Sequence, residues 1–139
     1  NHIGAWLPNG NYLTSAGIDK LDTKRIVLLP EDPDKSAQVI GTYIQENLGV
    51  KVGVVITDSD GRLEKRGSTQ VTIGIYGLDP LRRRKIDGKV VEETVCDMLA
   101  ASAGLLMGQR DNHKPVVIVS GHEFNFEPEA RLSWALKKE

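Results

Sequence analysis

Two carboxylates, a glycine and an arginine stand together in the run Asp58-Ser59-Asp60-Gly61-Arg62, directly after an apolar segment. Carboxylate oxygens suit Mg²⁺ and Mn²⁺, which proteins commonly hold through one or two carboxylates together with substrate phosphates. Glycine lets a backbone approach a phosphate closely, and arginine can pair with one through two hydrogen bonds. The run predicts a metal and phosphate site with Asp58 as metal ligand. The alternative is a plain polar turn, because Asp-x-Asp-Gly is also ordinary turn chemistry.

A second acidic pair, Glu93 and Asp97, lies four residues apart within a segment that reads as a long helix. That spacing places both side chains on one helix face, where like charges cost a little stability and a shared cation would offset the cost. Asp97 is the better metal candidate because apolar residues flank it. The alternative is a pair of solvated carboxylates.

The elements that must position these residues read as a mixture of strands and helices. An apolar run predicts a buried strand at 25–29, and Asp32-Pro33 then predicts a helix cap followed by proline at the first helical position. Apolar residues continue at helical spacing to a stop at Gly49, at Ala37, Ile40, Ile44 and Leu48. A nearly all-apolar strand at 52–57 indicates a sheet that is covered on both faces.

The remaining elements are predicted from the same patterns of spacing and turn residues. They comprise an irregular lead-in segment at 1–10, a short strand at 11–14, a polar loop at 58–68, a half-buried strand at 70–76, a basic loop at Arg82–Lys85, a long helix at 90–107, a buried strand at 115–119 and a final helix at 129–138. The basic loop either meets phosphates or is simply solvated, and Trp6 and Trp134 are expected to cover edges of the core. Because strands and helices do not alternate strictly, the fold class predicted is α+β, with a mixed sheet and covering helices.

The composition places further limits on the chain. Its 139 residues predict a single domain over 1–139, and a formal net charge of −1 gives no reason to expect nucleic acid or a membrane surface as partner. The lone cysteine, Cys96, has no partner for an internal disulfide, which favours a reducing compartment and a cytoplasmic protein. The chain begins at Asn1 rather than methionine, so we expect a fragment of a longer protein.

Six segments, in order, resemble motifs of the coenzyme F420-0:L-glutamate ligase (F420-0 gamma-glutamyl ligase) family. They are Ser15-Ala16-Gly17-Ile18-Asp19, the stretch from Leu28 to Ala37, Ile56 to Arg62, Gly67 to Gly74, Cys96 to Ala100, and Lys114 to Gly121. The resemblance spans about residues 10–121, and it is the order of the six motifs that makes it specific.

The resemblance implies a GTP-dependent ligase that adds L-glutamate to a phosphorylated deazaflavin, uses Mn²⁺ or Mg²⁺, and forms a homodimer. Carried over residue by residue, it makes Asp58 a metal ligand and sets Gly61 and Arg62 beside phosphates. Asp19 and Asp97 also fall in matching motifs, which adds Asp97 as a second metal candidate.

The chain departs from the family pattern at several loops where ligands would lie. Leu63-Glu64 replaces Pro-Trp, Gln70 replaces an aspartate, and the loop between Leu81 and Val90 is shortened. A whole N-terminal region of the family also has no counterpart. Three hypotheses therefore stay open: an active ligase, a domain that binds nucleotide or phosphate without turnover, and a dimerisation domain that keeps only the ligase fold.

Overall fold

A computed structural model describes residues 3–110 and 112–137 of the chain. The strands, in chain order, are β1 Gly4–Trp6, β2 Tyr12–Thr14, β3 Asp19–Lys20, β4 Ile26–Val27, β5 Val54–Arg62, β6 Lys65–Tyr76, β7 Leu81–Ile86 and β8 Lys89–Thr94. The helices are α1 Pro33–Leu48 and α2 Val95–Met107, and short 3-10 turns cover Ser15–Gly17 and Leu132–Trp134.

The sheets are two-stranded and antiparallel over the described residues, pairing β1 with β2, β3 with β4, β5 with β6, and β7 with β8. This combination of helices and antiparallel pairs confirms the α+β class. The mixed sheet that we predicted is not formed in this part of the chain, because each strand pairs with its sequence neighbour across a short connection.

Helix α1 confirms its sequence signals. The Asp32 carboxylate accepts a hydrogen bond from the Lys35 amide, Pro33 opens the helix, and Gly49 ends it in the left-handed region at φ 68°. Ala37 is buried as the predicted stripe required, but the rest of the buried face consists of Pro33 and Gly41 rather than the larger residues of the stripe. A Cβ at Gly41 would overlap the Tyr76 ring, so the helix lies too close to β6 for larger side chains. The bulkier members of the stripe are partly or largely exposed: Ile40, Ile44 and Leu48.

Helix α2 begins later than the sequence predicted, and the basic loop before it is a strand. Asp87 and Gly88 have φ of 49° and 80°, which is the geometry of a two-residue type I′ turn. The turn folds β8 back along β7, so the predicted start of the helix at 90–94 is wrong. Arg82–Lys85 lies within β7, and the prediction of a loop there is wrong for the same reason.

The core forms where β6 meets α2 and the 3-10 turn near the end of the chain. Its buried members are Ile75, Leu78, Cys96, Ala130 and Leu132, with Val55 and Leu99 packed against them. Both helices pack against β6. β6 is buried from Thr72 to Tyr76. It is the rigid element from which the candidate site extends.

Several predictions of buried or irregular segments are corrected. β4 is only two residues long and exposed, and Val116 and Ile118, within the predicted strand at 115–119, are 80% and 90% exposed and unpaired among the described residues. Apolar composition predicted burial here, but burial needs a covering element that these local sequences do not contain. The lead-in segment predicted as irregular contains strand β1. In place of the final helix predicted at 129–138, the structure has a short 3-10 turn at Leu132–Trp134. Asn1, His2 and Lys138 lie outside the described residues.

Neither helix in the described part of the chain combines the length and hydropathy that a membrane crossing requires.

Candidate metal and phosphate site

The acidic run lies on a strand rather than in the predicted loop at 58–68. β5 continues through Arg62, and Arg62 pairs with Lys65, so the turn contains only Leu63 and Glu64. Pairing with β6 therefore prevails over the turn chemistry of Asp-x-Asp-Gly. Because side chains alternate along a strand, Asp58 and Asp60 share a face. We call the residues Thr14, Asp19, Asp58, Asp60, Gly61 and Arg62 the β5 site.

Asp60 fastens strand β2 to this part of β5. Its Oδ1 accepts hydrogen bonds from the Thr14 backbone amide at 2.8 Å and from the Thr14 hydroxyl at 2.6 Å. The Thr14 Oγ1 in turn accepts from the Gly61 amide at 3.3 Å. With one oxygen used in this way, Asp60 serves the local structure, and Asp58 is left as the less engaged carboxylate of the pair.

Asp58 is half-buried, and its chemistry fits an oxygen ligand. Burial raises the pKa of Asp58, the Ser59 amide opposes this by donating a hydrogen bond at 2.8 Å, and the Asp19 and Asp60 carboxylates raise the pKa further. A carboxylate that is costly to ionise among other carboxylates gains most from a bound cation, which neutralises the local negative charge. Asp58 therefore has the chemistry of an oxygen ligand for a divalent cation, whose further ligands would be oxygens of a bound substrate.

A basic cleft lies at the hairpin tip, where the acidic run ends. It encloses about 660 Å³ and is lined by Thr14, Ser59 and residues 61–68. Three of its lining side chains are cationic, Arg62, Lys65 and Arg66, and none of them forms an ion pair with a carboxylate in the part of the chain that the structure describes. Free cations beside an acidic strand are suited to binding phosphate oxygens that also ligate a metal.

The second acidic pair does not come together. Glu93 lies on β8, where its carboxylate is 2.7 Å from Arg82 Nε, and Asp97 lies in the first turn of α2. Asp97 Oδ1 accepts from the Thr72 amide at 2.9 Å, which pins the helix to β6. The premise that Glu93 and Asp97 share a helix is therefore wrong, and a metal role for Asp97 stays a prediction. Across residues 3–110 and 112–137, no three or more histidine, cysteine, aspartate or glutamate side chains gather as a metal-binding group.

Sequence reasoning missed three hydrogen bonds that connect the elements around the site. Asp34 accepts from the amides of Ile75 at 2.7 Å and Leu132 at 3.1 Å, and the Thr57 hydroxyl donates to Gln70 Oε1 at 2.9 Å. Acidic residues are common in the first turn of a helix, because they interact favourably with the helix dipole. No sequence signal therefore indicated that Asp34 would accept hydrogen bonds from distant backbone amides. Gln70 stood out only as a departure from the family pattern.

Comparison with known proteins shows which family the chain belongs to. The pattern of the family described as F420-0:Gamma-glutamyl ligase matches residues 6–121, which is most of the chain. This is a family of ligases. The chain belongs to the F420-0:gamma-glutamyl ligase family, which confirms the resemblance found in the sequence.

Curated relatives carry the name coenzyme F420:L-glutamate ligase. The protein from Methanosarcina mazei is 37% identical over 139 residues, covering 94% of this chain and 55% of the relative. That from Methanococcus maripaludis is 37% identical over 147 residues, covering 100% and 59%, and that from Methanothermobacter thermautotrophicus is 39% identical over 123 residues, covering 82% and 49%. The chain thus spans about half the length of the curated relatives it matches.

Proposed function

We propose that this chain carries the metal and phosphate site of a coenzyme F420-0:L-glutamate ligase, which joins L-glutamate to a phosphorylated deazaflavin with GTP and Mn²⁺ or Mg²⁺. The observation that carries the proposal is the position of Asp58. It is a half-buried carboxylate with a raised pKa, and it lies on the strand that leads directly into the cationic cleft at Gly61 and Arg62. Membership of the ligase family supports the same reading.

Each residue of the β5 site has a distinct task in this proposal. Asp58, assisted by Asp19, would hold the cation, and Arg62 would orient phosphate oxygens with two parallel hydrogen bonds. The Thr14–Asp60 contact keeps Gly61 and Arg62 in register with Asp58. When bound, the cation would clamp phosphate oxygens and neutralise charge that develops during phosphoryl transfer.

The decisive experiment compares metal binding in Asp58→Asn with the parent chain. We expect the parent to bind Mn²⁺, by isothermal titration calorimetry, and to melt at a higher temperature with Mn²⁺ and GTP together, because a ligand of the folded state raises the midpoint. Asp58→Asn should lose both effects and still fold. Glu46→Gln, which changes an exposed carboxylate on α1 away from the site, is the matched control and should behave like the parent.

Asp97→Asn tests the other metal candidate in the same assay. We expect its Mn²⁺ affinity to stay at the parent value, since Asp97 is engaged with the Thr72 amide. If Asp97→Asn loses Mn²⁺ and Asp58→Asn keeps it, the metal is assigned to the wrong carboxylate. A parent chain that binds neither Mn²⁺ nor GTP contradicts the proposal and favours the dimerisation-domain hypothesis.

A second candidate function is nucleotide or phosphate binding without turnover. Gln70 favours it, because this neutral amide accepts from Thr57, the residue directly before Asp58, where the family pattern has an aspartate. Release of GDP and phosphate from GTP, measured with L-glutamate and the deazaflavin acceptor present, distinguishes the two functions. Binding without product formation, followed by turnover in Gln70→Asp, would identify Gln70 as the cause.

A further inference from the structure

Two aromatic side chains lie exposed on the β1–β2 hairpin, beside the β5 site. Trp6 and Tyr12 are directly opposite each other in the strand pairing, and their ring centroids are 5.2 Å apart at an interplanar angle of 64°. Trp6 is 70% exposed and Tyr12 53% exposed. The expectation that Trp6 covers an edge of the core is therefore wrong. A large aromatic pair left in water is unusual and points to a ligand or partner.

The aromatic pair is continuous with the cleft through Thr14. Tyr12 and Thr14 are two residues apart on β2, so their side chains share a face and lie roughly 7 Å apart along the strand. The Thr14 hydroxyl contacts Asp60 and Gly61, and Thr14 also lines the cationic cleft. A ligand with phosphate at Gly61 and Arg62 could therefore extend along β2 and reach the aromatic rings.

The geometry of the pair suits stacking with a flat ring. In an edge-to-face arrangement the edge of one ring lies against a single face of the other, so Tyr12 covers at most one face of Trp6 and the opposite face stays available. Gly4 is on the same face, and a Cβ there would overlap the Tyr12 ring, so the glycine lets that ring lie down on the strand. Rings stacked on such platforms are bound through contact area, which is largely independent of their hydrogen-bonding pattern.

We propose that Trp6 and Tyr12 form a stacking platform for the flat tricyclic ring of the phosphorylated deazaflavin acceptor, whose phosphate lies in the cleft. This inference rests on the proposed function. The apolar character of the platform favours the tricyclic ring over a purine, because base selection would need donors and acceptors along the ring edge. On this face the strand pair offers the indole N–H of Trp6 and the hydroxyls of Tyr12 and Thr14, and the Thr14 hydroxyl is already bonded to Asp60 and Gly61.

The test uses flavin mononucleotide, a flat tricyclic ring with one phosphate, as the probe. In a Trp134→Phe background Trp6 is the remaining tryptophan of the two in the chain, so its fluorescence reports the platform alone. We expect the probe to quench Trp6 fluorescence. Trp6→Leu should weaken probe binding roughly 5- to 100-fold, the range of a single aromatic stacking contact, while Trp6→Phe stays close to the parent.

Two comparisons keep the result specific. Arg62→Gln should weaken both the flavin probe and inorganic phosphate, whereas Trp6→Leu should weaken only the flavin probe. Trp134→Phe alone changes a partly exposed tryptophan elsewhere in the chain and should leave the affinity unchanged. Because Trp6 is exposed, its replacement should not affect folding, and near-parent urea denaturation of Trp6→Leu confirms this.

Two results would overturn the platform. One is an unchanged affinity for the flavin probe in Trp6→Leu; the other is a loss of GTP affinity in Trp6→Leu that equals the loss for the flavin, which would assign the rings to the nucleobase. Failure of the proposed function looks different. Mn²⁺ binding that is insensitive to Asp58→Asn, together with flavin binding that depends on Trp6, removes the proposed metal site at Asp58 and supports the platform.

Discussion

The Asp34 carboxylate accepts a hydrogen bond from the backbone amide of Ile75 at 2.7 Å, although the two residues are 41 positions apart. Its other oxygen accepts from the amide of Leu132 at 3.1 Å, 98 positions away. One side chain in the first turn of α1 thus ties the helix to β6 and to the last 3-10 turn. Asp97 makes the equivalent connection from α2 to the Thr72 amide of β6. Both helices are therefore fixed on the same strand by carboxylates near their N-termini.

Replacing Asp34 should cost more stability than replacing the helix cap two residues before it. Asp34→Ala leaves two amides without an acceptor, one of them on a residue that is 1% exposed, and we expect a loss of about 2–4 kcal/mol. Asp32→Ala removes a single capping bond at the surface and should cost about 1 kcal/mol. Urea denaturation of both variants measures the difference, and equal losses would contradict a special role for Asp34.

The Thr14–Asp60 contact should show strong coupling in a double-mutant cycle. Thr14→Val removes the hydroxyl, Asp60→Asn removes the charged acceptor, and their coupling energy should be about 1–2 kcal/mol, since a charged group accepts in a partly buried setting. The matched control is the cycle for Arg82 and Glu93, an ion pair at the surface, whose coupling should be clearly weaker because solvent screens it. A larger coupling in the control pair would contradict the prediction.

The raised pKa of Asp58 predicts how the stability of the chain depends on pH. Burial raises the pKa of Asp58 above its ordinary value of 3.8, so the folded chain holds the proton more tightly than the unfolded chain. The free energy of unfolding therefore falls as pH rises from 3.8 through the folded pKa. Without metal, Asp58→Asn should be more stable than the parent at neutral pH, and the gap should close in acid. Denaturation curves across this range check it; a variant less stable at neutral pH would show that the anion is favoured in the fold.

Gly74 should not tolerate a side chain. A Cβ at this position on β6 would lie 2.6 Å from the Pro33 carbonyl oxygen, and backbone cannot move aside as a flexible side chain can. We expect Gly74→Ala to lose about 1–3 kcal/mol through overpacking, measured by thermal and urea unfolding. Gly61→Ala is the control on the neighbouring strand, because its Cβ would meet Thr14 no closer than 3.7 Å. Similar losses in the two variants would argue against the contact with α1.

Cys96 should resist thiol reagents while the chain is folded. It is 0% exposed, and burial raises the pKa of its thiol to about 11, so very little thiolate exists at neutral pH. Labelling with a disulfide reagent at neutral pH should be slow and should accelerate with urea in parallel with unfolding. Rapid labelling of the native chain would show that α2 opens readily from β6. Mass spectrometry measures the fraction of the chain that is labelled at each time.

Local signals predicted some elements well because the interactions that form them are local. Helix α1 needed only Asp32, Pro33 and Gly49, whose roles depend on the backbone next to them. The start of α2 was missed because the valines at 90, 91 and 95 fit a helical period as well as a strand. The Asp87-Gly88 turn, which decides between these readings, is a two-residue signal inside a charged stretch.

The chemical character of Asp58, Gly61 and Arg62 is readable from their types and order, and their roles in binding metal and phosphate stay predictions. The contacts that support these residues were not predicted. That Asp60 would bind Thr14, 46 positions away, depends on how two separate hairpins meet, which no local pattern contains. The same holds for the exposure of Trp6.

The exposed stretch 116–119 has a further consequence for handling the chain. It is β-branched and uncharged, with Val116 and Ile118 at 80% and 90% exposure, and an exposed apolar stretch of this kind can associate with identical copies. Heated or concentrated chains should then be lost from solution by aggregation. The shelf life of the isolated chain is in that case governed by nucleation and protein concentration rather than by its folding equilibrium.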